Sequence, residues 1–463
     1  MSEFLSESAI HRRKQMEEGG YWSLIFSYGL PALLSSLAVS FYSITDRIFV
    51  GHGVGPEGLA VIALAFPVLL GIDALSSLFS IGGLSVFSRL YGAHQLDEAR
   101  GAFCSIHALV AGFLLCALVG AQIFAAPLLR LCGATDELVP LGLSYFRVLL
   151  CGSFFSVMMG LMVSMLRSIG HPKLALACVL TGQILNVALD YLFIFPLQWG
   201  VAGAAWATAL SMVVSCTMAF SFLWLRHPPF TSLPLHSFVP RLKQVGEMLL
   251  IGLSPFVGIF GFSFTILLFN RYASSLHGQA GLAAVGVFSA LDNFLYMPVG
   301  GIWNGVVGLC AYNYGSGAYH RVKGLTNRVI LLTTVYLAFS FTLVMTSAPL
   351  LTTPFLPSGT EAYDLAVVAL RWGYFCMWGA SLSWMATFLL DGLGRYVIAL
   401  VVSLLSPLLT VVILPLLTHL LGWRGVFLTF SMVDLLRALV GLIVGVYLYR
   451  VVLPTPKEGF LGE

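Results

Sequence analysis

Apolar stretches of about 20 residues or more follow one another along almost the whole chain, and each is long enough to cross a bilayer as an α-helix. The stretches are continuous, whereas strands of a membrane β-barrel alternate apolar and polar residues, so an all-α membrane protein is predicted. Only 9% of the residues are charged, far below the roughly 25% of soluble domains. Charges, Gly and Pro between the stretches predict twelve spans, at residues 21–45, 58–86, 101–127, 138–166, 173–197, 201–225, 246–270, 281–311, 326–350, 364–390, 396–420 and 426–450.

The chain also repeats itself. Residues 46–170 and 270–394 share short motifs at an offset of 223–224 positions. Each half holds six predicted spans, and this even number gives both halves the same orientation in the membrane. Two parallel repeats predict two pseudo-symmetric six-helix bundles with a substrate path at their interface, as in transporters. The matching motifs include Asp46-Arg47 with Asn270-Arg271, Gly58-Leu59-Ala60 with Gly281-Leu282-Ala283, Tyr91-Gly92 with Tyr314-Gly315, and Ser168-Ile169-Gly170 with Gly392-Leu393-Gly394.

Proline and charge set the expected domain boundaries. Four prolines between the two halves prevent a continuous helix there, which predicts a linker. Lys and Arg are concentrated on the side of the linker and the termini, and the positive-inside rule makes that side the cytoplasm. The membrane is expected to be the plasma (inner) membrane of a prokaryote. The first twenty residues lack the apolar core of a signal peptide. The predicted domains are an N-terminal tail at 1–20, an N-lobe at 21–226, a cytoplasmic linker at 227–243, a C-lobe at 244–450 and a C-terminal tail at 451–463.

Several function classes are excluded by the sequence. The net charge of +3 gives no basis for a nucleic-acid partner. No GxxxxGK[ST] motif is present for nucleotide hydrolysis, so an ion gradient is expected to drive transport. The eight Cys form no CxxC or Cys/His cluster, and neither a metal site nor a cofactor is predicted. A membrane enzyme such as a prenyltransferase needs clustered acids, which are absent, so we expect a non-enzymatic monomer in the lipid bilayer.

Acidic residues inside the spans are the first functional candidates, because an ionised carboxylate at a helix centre costs about 2.5–3.5 kcal/mol on insertion scales. Asp190 has the strongest local case. Asn186 lies one turn earlier on the same helix face, and Gln183 and Thr208 are near enough in sequence to join them. If Asp46 lines the same cavity, the two like charges favour binding of a proton, or of Na⁺, at the pair.

The other buried acids admit two interpretations. Asp73 is followed by serines at helical spacing, and Asp292-Asn293 begins a similar polar face in the second half. Both are candidates to line a substrate cavity for cations, and interhelical hydrogen bonding is the alternative. Asp434 precedes Arg437 by three residues, for which a local ion pair is the simpler account. Asp391 is placed at a span end, where solvation is easy, and is given a structural role.

Taken together, several motifs resemble the multidrug and toxic compound extrusion (MATE) family over nearly the whole chain. The motifs are specific as a set, whereas any one of them alone is weak. They follow the family's first, second and fourth to sixth helices. They are Gly29-Leu30-Pro31, the run from Thr45 to Gly51, Gly58-Leu59-Ala60 with Phe66-Pro67, the run from Leu166 to Pro172, Asn186 to Asp190, and Gly203-Ala204-Ala205.

The resemblance implies two six-helix lobes, alternating access, and export of drugs or organic cations in exchange for H⁺ or Na⁺. By similarity to the DinF-like branch, the coupling residues would be Asp46, Asn186 and Asp190 in the N-lobe. The resemblance also implies that the first helix bends at Pro31 and that Tyr145 and Thr208 line the cavity. The MepA-like branch is equally similar.

The sequence departs from patterns of the family in two ways, and both limit the ion-coupling residues expected in the C-lobe. The NorM-like branch carries acids within the seventh and tenth helices, whereas 254–270 and 372–390 contain none. The repeat counterparts of Asn186 and Asp190 are Thr410 and Leu414, so coupling is expected in one lobe only. The runner-up function is a flippase for lipids or lipid-linked oligosaccharides, which would need several cationic residues in its central cavity. Arg147 and Arg371 are the mid-sequence candidates for that role, and both lie near predicted span entrances.

Overall fold

The computed structural model describes residues 14–54, 56–131, 139–225 and 242–453, and it contains no strand within those ranges. Most of the predicted linker and the outer parts of both predicted tails lie outside the described residues. The α-helices are α1 (Tyr21–Gly53), α2 (Pro56–Gly92), α3 (Leu96–Ile123), α4 (Ala125–Leu131), α5 (Val139–Ser168), α6 (Pro172–Ile194), α7 (Gly200–Leu225), α8 (Leu242–Gly278), α9 (Ala280–Gly315), α10 (Tyr319–Thr352), α11 (Glu361–Gly373), α12 (Ala380–Gly392), α13 (Tyr396–Leu421) and α14 (Trp423–Tyr447).

The number of predicted spans is confirmed among the described residues. Eleven helices are long and apolar enough to cross a membrane, and the bent pair α11–α12 brings the number to twelve. The bend between these two helices is 44°. A second break separates α8 from α9, where Gly278 has φ of +52°, a conformation that glycine adopts without a steric penalty. By contrast, α1 continues through Pro31 as one helix.

The two lobes meet along a seam of glycines that follows the sequence repeat. A Cβ atom at Gly92 of α2 would overlap the carbonyl oxygen of Tyr312 on α9. The repeat counterparts of Gly92 and Tyr312 make the same contact: a Cβ at Gly315 would overlap the carbonyl oxygen of Arg89. The backbones can approach this closely only because these residues have no side chain. The glycines of a second pair, Gly82 and Gly305, are also repeat-related, and they approach the carbonyl oxygens of Met248 and Tyr28.

Polar contacts tie the lobes together at one end of this seam, which we call the N-terminal face because it carries residues 14–20. Arg89 of α2 pairs with Glu247 of α8, with Nη2 and Oε1 2.7 Å apart. The hydroxyl of Tyr312 donates to Glu17 at 2.6 Å, and His94 lies 3.7 Å from the same carboxylate. The N-terminal segment therefore contacts both lobes.

Candidate functional site

A partly open cavity of about 300 Å³ lies within the N-lobe, between α1, α2, α5 and α7. Its lining residues come from the second half of α1 and from the first half and middle of the other three helices, so it lies away from the N-terminal face. Leucine, isoleucine, valine and methionine side chains form the apolar part of its wall. The polar lining residues are Tyr42, Asp46, Asp73, Ser76, Tyr145, Ser153, Ser156 and Thr208.

Two carboxylates face this cavity from different helices. Asp46 lies on α1 and is partly buried, and Asp73 lies on α2 and is exposed to the open space. No Lys or Arg is present among the lining residues that the structure describes. Because the walls are apolar and of low dielectric, the charge of these carboxylates attracts cations more strongly than it would in water.

Asp190 lies beside the cavity, fully buried on α6. The side-chain amide of Asn186 is assigned the orientation in which both its oxygen and its nitrogen have hydrogen-bond partners. In this orientation the amide nitrogen donates to Asp190 Oδ2 at 3.1 Å. The amide oxygen of Asn186 then accepts from the backbone N–H and the hydroxyl of Thr208, at 3.2 and 3.3 Å. Asp46 and Asp190 are also close enough to interact electrostatically. A chain of contacts therefore links Asp190, through Asn186, to a side chain that lines the cavity.

Close packing of α6 against α7 fixes this arrangement. A Cβ at Gly182 would overlap the hydroxyl of Ser215, so the helices can approach closely at this point. That hydroxyl donates to the carbonyl oxygen of Cys178 at 2.8 Å, which joins the two helices again. Small residues at a helix contact and hydrogen bonds between helices are the usual means of association in membranes. The register that places Asn186 opposite Thr208 follows from these contacts.

Two buried oxygen atoms near this chain have no hydrogen-bond partner among the described residues. They are Oδ1 of Asp190 and Oε1 of Gln183, two turns apart on α6. A buried acceptor without a partner is costly, and a buried charge without one is more so. Oδ1 of Asp190 is available to a proton, and both atoms are available to a small cation or a hydrogen-bond donor.

The predicted C-lobe residues lie elsewhere. Asp292 is buried on α9 and accepts from the hydroxyl of Tyr374 at 3.4 Å. Asp434 on α14 accepts from Tyr296 at 2.8 Å and lies 3.9 Å from Arg437, so the expected local ion pair is long and Tyr296 is the closer partner. These contacts correspond to the interhelical hydrogen bonding considered from the sequence. Asn293 lies on α9, and its side chain is outside the described part of the structure.

The structure thus brings Asp46, Asp73, Tyr145 and Thr208 to one cavity, with Asn186, Asp190 and Gln183 behind its wall. Pro31 is buried earlier in α1, about 22 Å along the helix from Asp46 at 1.5 Å per residue. Sequence reasoning missed three lining hydroxyls, those of Tyr42, Ser153 and Ser156. The two serines are three residues apart on an apolar helix, and this spacing was an available signal.

The fold and the cavity define a multi-pass helical membrane protein of the repeated-lobe transporter type. The family model MatE matches two segments of the chain, residues 31–192 and 255–416. The chain belongs to the MATE family.

The chain is similar over nearly its full length to curated relatives. It is 26% identical to the multidrug export protein MepA of Staphylococcus saprophyticus over 452 residues, which cover 96% of this chain and 98% of the relative. It is 24% identical to MepA of Staphylococcus aureus over 436 residues, which cover 94% and 95%.

Solved structures of MATE proteins share this fold. A crystal structure of MATE in the bent conformation gives a TM-score of 0.87 at 25% identity, covering 95% of this chain and 97% of that chain. An outward-facing multidrug resistance MATE family transporter gives a TM-score of 0.84 at 26% identity, covering 93% and 96%.

Proposed function

We propose that the protein exports cationic or amphipathic small molecules, drugs among them, across the plasma membrane in exchange for H⁺ or Na⁺. The relatives named multidrug export proteins support the efflux activity. The observation that supports coupling between ion binding and drug export is the position of Thr208. This residue lines the cavity and also contacts Asn186, which donates a hydrogen bond to Asp190. Ion binding at the acid and drug binding in the cavity therefore act on the same side chain.

Substrate selection follows from the composition of the cavity. Asp46 and Asp73 supply negative charge, and the serine and tyrosine hydroxyls orient polar groups of the ligand. The apolar walls bind the hydrophobic part of an amphipathic compound, and their many flexible side chains tolerate different shapes. An anionic lipid-linked oligosaccharide fits less well, because carboxylates and no described Lys or Arg line this cavity.

Coupling follows from the hydrogen bonds of Asp190. When this residue is ionised, the Asn186 amide donates to it and directs its own oxygen toward Thr208. A proton on Asp190 turns one acceptor oxygen into a donor, and Na⁺ would instead recruit the carboxylate and amide oxygens as ligands. Either event rearranges the Asn186–Thr208 contact and hence the position of α7 at the cavity. Asp46 interacts with Asp190 electrostatically and also lines the cavity, so the coupling ion and a cationic substrate compete for its carboxylate.

Alternating access completes the proposal. The glycine seam and the Arg89–Glu247 pair close the N-terminal face, while the cavity lies toward the other face. We assign the N-terminal face to the cytoplasm on the positive-inside rule, with the tails, lobes and linker at the boundaries predicted from the sequence. Rocking of one lobe against the other, with α1 bending at Pro31 where a backbone donor is missing, would expose the cavity to each side in turn. The protein is expected to act as a monomer.

The test is drug-driven ion movement in proteoliposomes, with imposed pH and Na⁺ gradients applied separately. Wild-type protein should move drug against one of these gradients, and Asp190→Asn should abolish that movement while the variant still inserts and binds drug. Asp97→Asn is the matched control, since it neutralises an exposed carboxylate in the first turn of α3. Full gradient-driven transport by Asp190→Asn, or by Asp46→Asn combined with Asp190→Asn, would refute the coupling assignment.

A further inference from the structure

A carboxylic acid outside the N-lobe site is buried at the end of α12. The sequence places Asp391 at a span end, where solvation would be easy, but the residue is only 2% exposed. Its Oδ1 has no hydrogen-bond partner among the described residues. The hydroxyl of Ser254 on α8 lies near this carboxyl group and is 2.9 Å from the hydroxyl of Ser403 on α13. Three helices thus enclose one carboxyl group and two hydroxyls.

The position of Asp391 disfavours a negative charge. It is the penultimate residue of α12, where the helix dipole is negative, and burial removes the water that would solvate an ion. Several charged groups on or beside the elements packed around α12 have other partners. These pairs are Arg89 of α2 with Glu247 of α8, Arg395 with the Tyr314 hydroxyl of α9, Arg321 of α10 with the carbonyl of Gly19, and Arg437 with Asp434 of α14.

This acid also lies at the seam between the lobes. The next residue, Gly392, accepts a hydrogen bond at its carbonyl oxygen from Ser85 of α2, across the lobes, at 2.9 Å. The guanidinium of Arg89 lies directly against Gly394, two residues further along. If the seam at the N-terminal face opens, these contacts separate and water reaches the carboxyl group. The same contacts exclude water while the seam is closed.

We propose that Asp391 is a second proton-binding site, separate from the N-lobe pair, which holds its proton while the seam is closed and releases it to water when the seam opens. The release leaves a carboxylate that one hydroxyl donor and water together solvate. Proton binding at Asp391 therefore stabilises the closed seam, and a lower pH on that side favours closure. The inference does not depend on the acids of the N-lobe being the coupling site.

The direct test is infrared spectroscopy of the full chain in lipid, titrated from acidic to alkaline pH. The carbonyl band of a protonated carboxylic acid should include a component that is lost in Asp391→Asn and kept in Asp190→Asn and in the Asp97→Asn control. Identical titrations of wild type and Asp391→Asn would overturn the proposal. Loss of the component on adding NaCl at constant pH would also overturn it, because the ligand would then be Na⁺. Failure of Asp190→Asn to stop transport would refute the proposed function without changing this result.

Two further readouts keep the proposal testable if Asp391→Asn does not fold. Ser254→Ala removes the donor to the ionised form, so the midpoint of the same component should move to higher pH, by about tenfold in proton affinity. Spin labels at Ala93 and His320, exposed on opposite lobes at the N-terminal face, should report a shorter mean distance at low pH. A midpoint unchanged in Ser254→Ala, or a distance independent of pH, would contradict the assignment.

Discussion

The seam glycines give the sharpest test of how the lobes move. In Gly92→Ala the new Cβ would lie far inside the 3.0 Å limit for real Cβ contacts with the Tyr312 carbonyl oxygen. The obstacle is backbone rather than the end of a flexible side chain, so α2 and α9 must separate at this point. Overpacking of this kind costs about 1–3 kcal/mol. The closed seam should lose about that much stability relative to an open one.

That energy converts to a measurable population. At about 1.4 kcal/mol per factor of ten, the ratio of open to closed molecules should rise between about fivefold and about 150-fold. Pulsed electron paramagnetic resonance on labels at Ala93 and His320 would resolve the two populations in lipid. Gly112→Ala on α3 is the matched control, because a Cβ there meets nothing within 4 Å.

A specific outcome would refute this reasoning. If Gly92→Ala and Gly112→Ala give the same distance distribution and the same thermal stability, the backbone contact does not limit opening of the seam. The repeat-related Gly315→Ala should behave as Gly92→Ala does, since it meets the carbonyl oxygen of Arg89 in the same way. Opposite effects of these two variants would show that the seam is not symmetric in energy.

Two further predictions concern the lobes separately. Thr208→Val removes the hydroxyl that contacts Asn186, so drug binding should persist while drug movement is no longer coupled to the ion gradient. Thr208→Ser keeps a hydroxyl and should transport in a coupled manner. Fully coupled transport by Thr208→Val would contradict the proposed link. Tyr296→Phe leaves the buried Asp434 without its 2.8 Å donor and should destabilise the protein by about 1.5–3 kcal/mol in a thermal unfolding assay, whereas Tyr319→Phe, which is not fully buried, should change stability little.

Much of the site was predictable because membrane helices make spacing informative. Asn186 and Asp190 are one turn apart, so their contact follows from helix geometry alone. Their link to Thr208 crosses between α6 and α7, and only the close approach at Gly182 fixes that register. The MATE resemblance supplied the expectation that Asp46, Tyr145 and Thr208 share a cavity.

Other features depend on packing between distant segments, which spacing does not encode. Asp391 looks solvated in the sequence because it ends a span, but α8 and α13 cover it in the fold. The tenth span is broken between α11 and α12, although no proline marks the break. Asp292 shares its residue type and apolar surroundings with Asp46, yet it hydrogen-bonds within the C-lobe instead of facing the N-lobe cavity.

The symmetry of the glycine seam bears on the origin of the chain. Gly92 contacts Tyr312 just as Gly315 contacts Arg89, so the two halves use equivalent surfaces to contact each other. Such an interface is self-complementary, as in a two-fold homodimer. A half-length ancestor inserted in a single orientation would dimerise through these contacts, and tandem duplication of its gene followed by fusion would yield the present chain without inverting either copy.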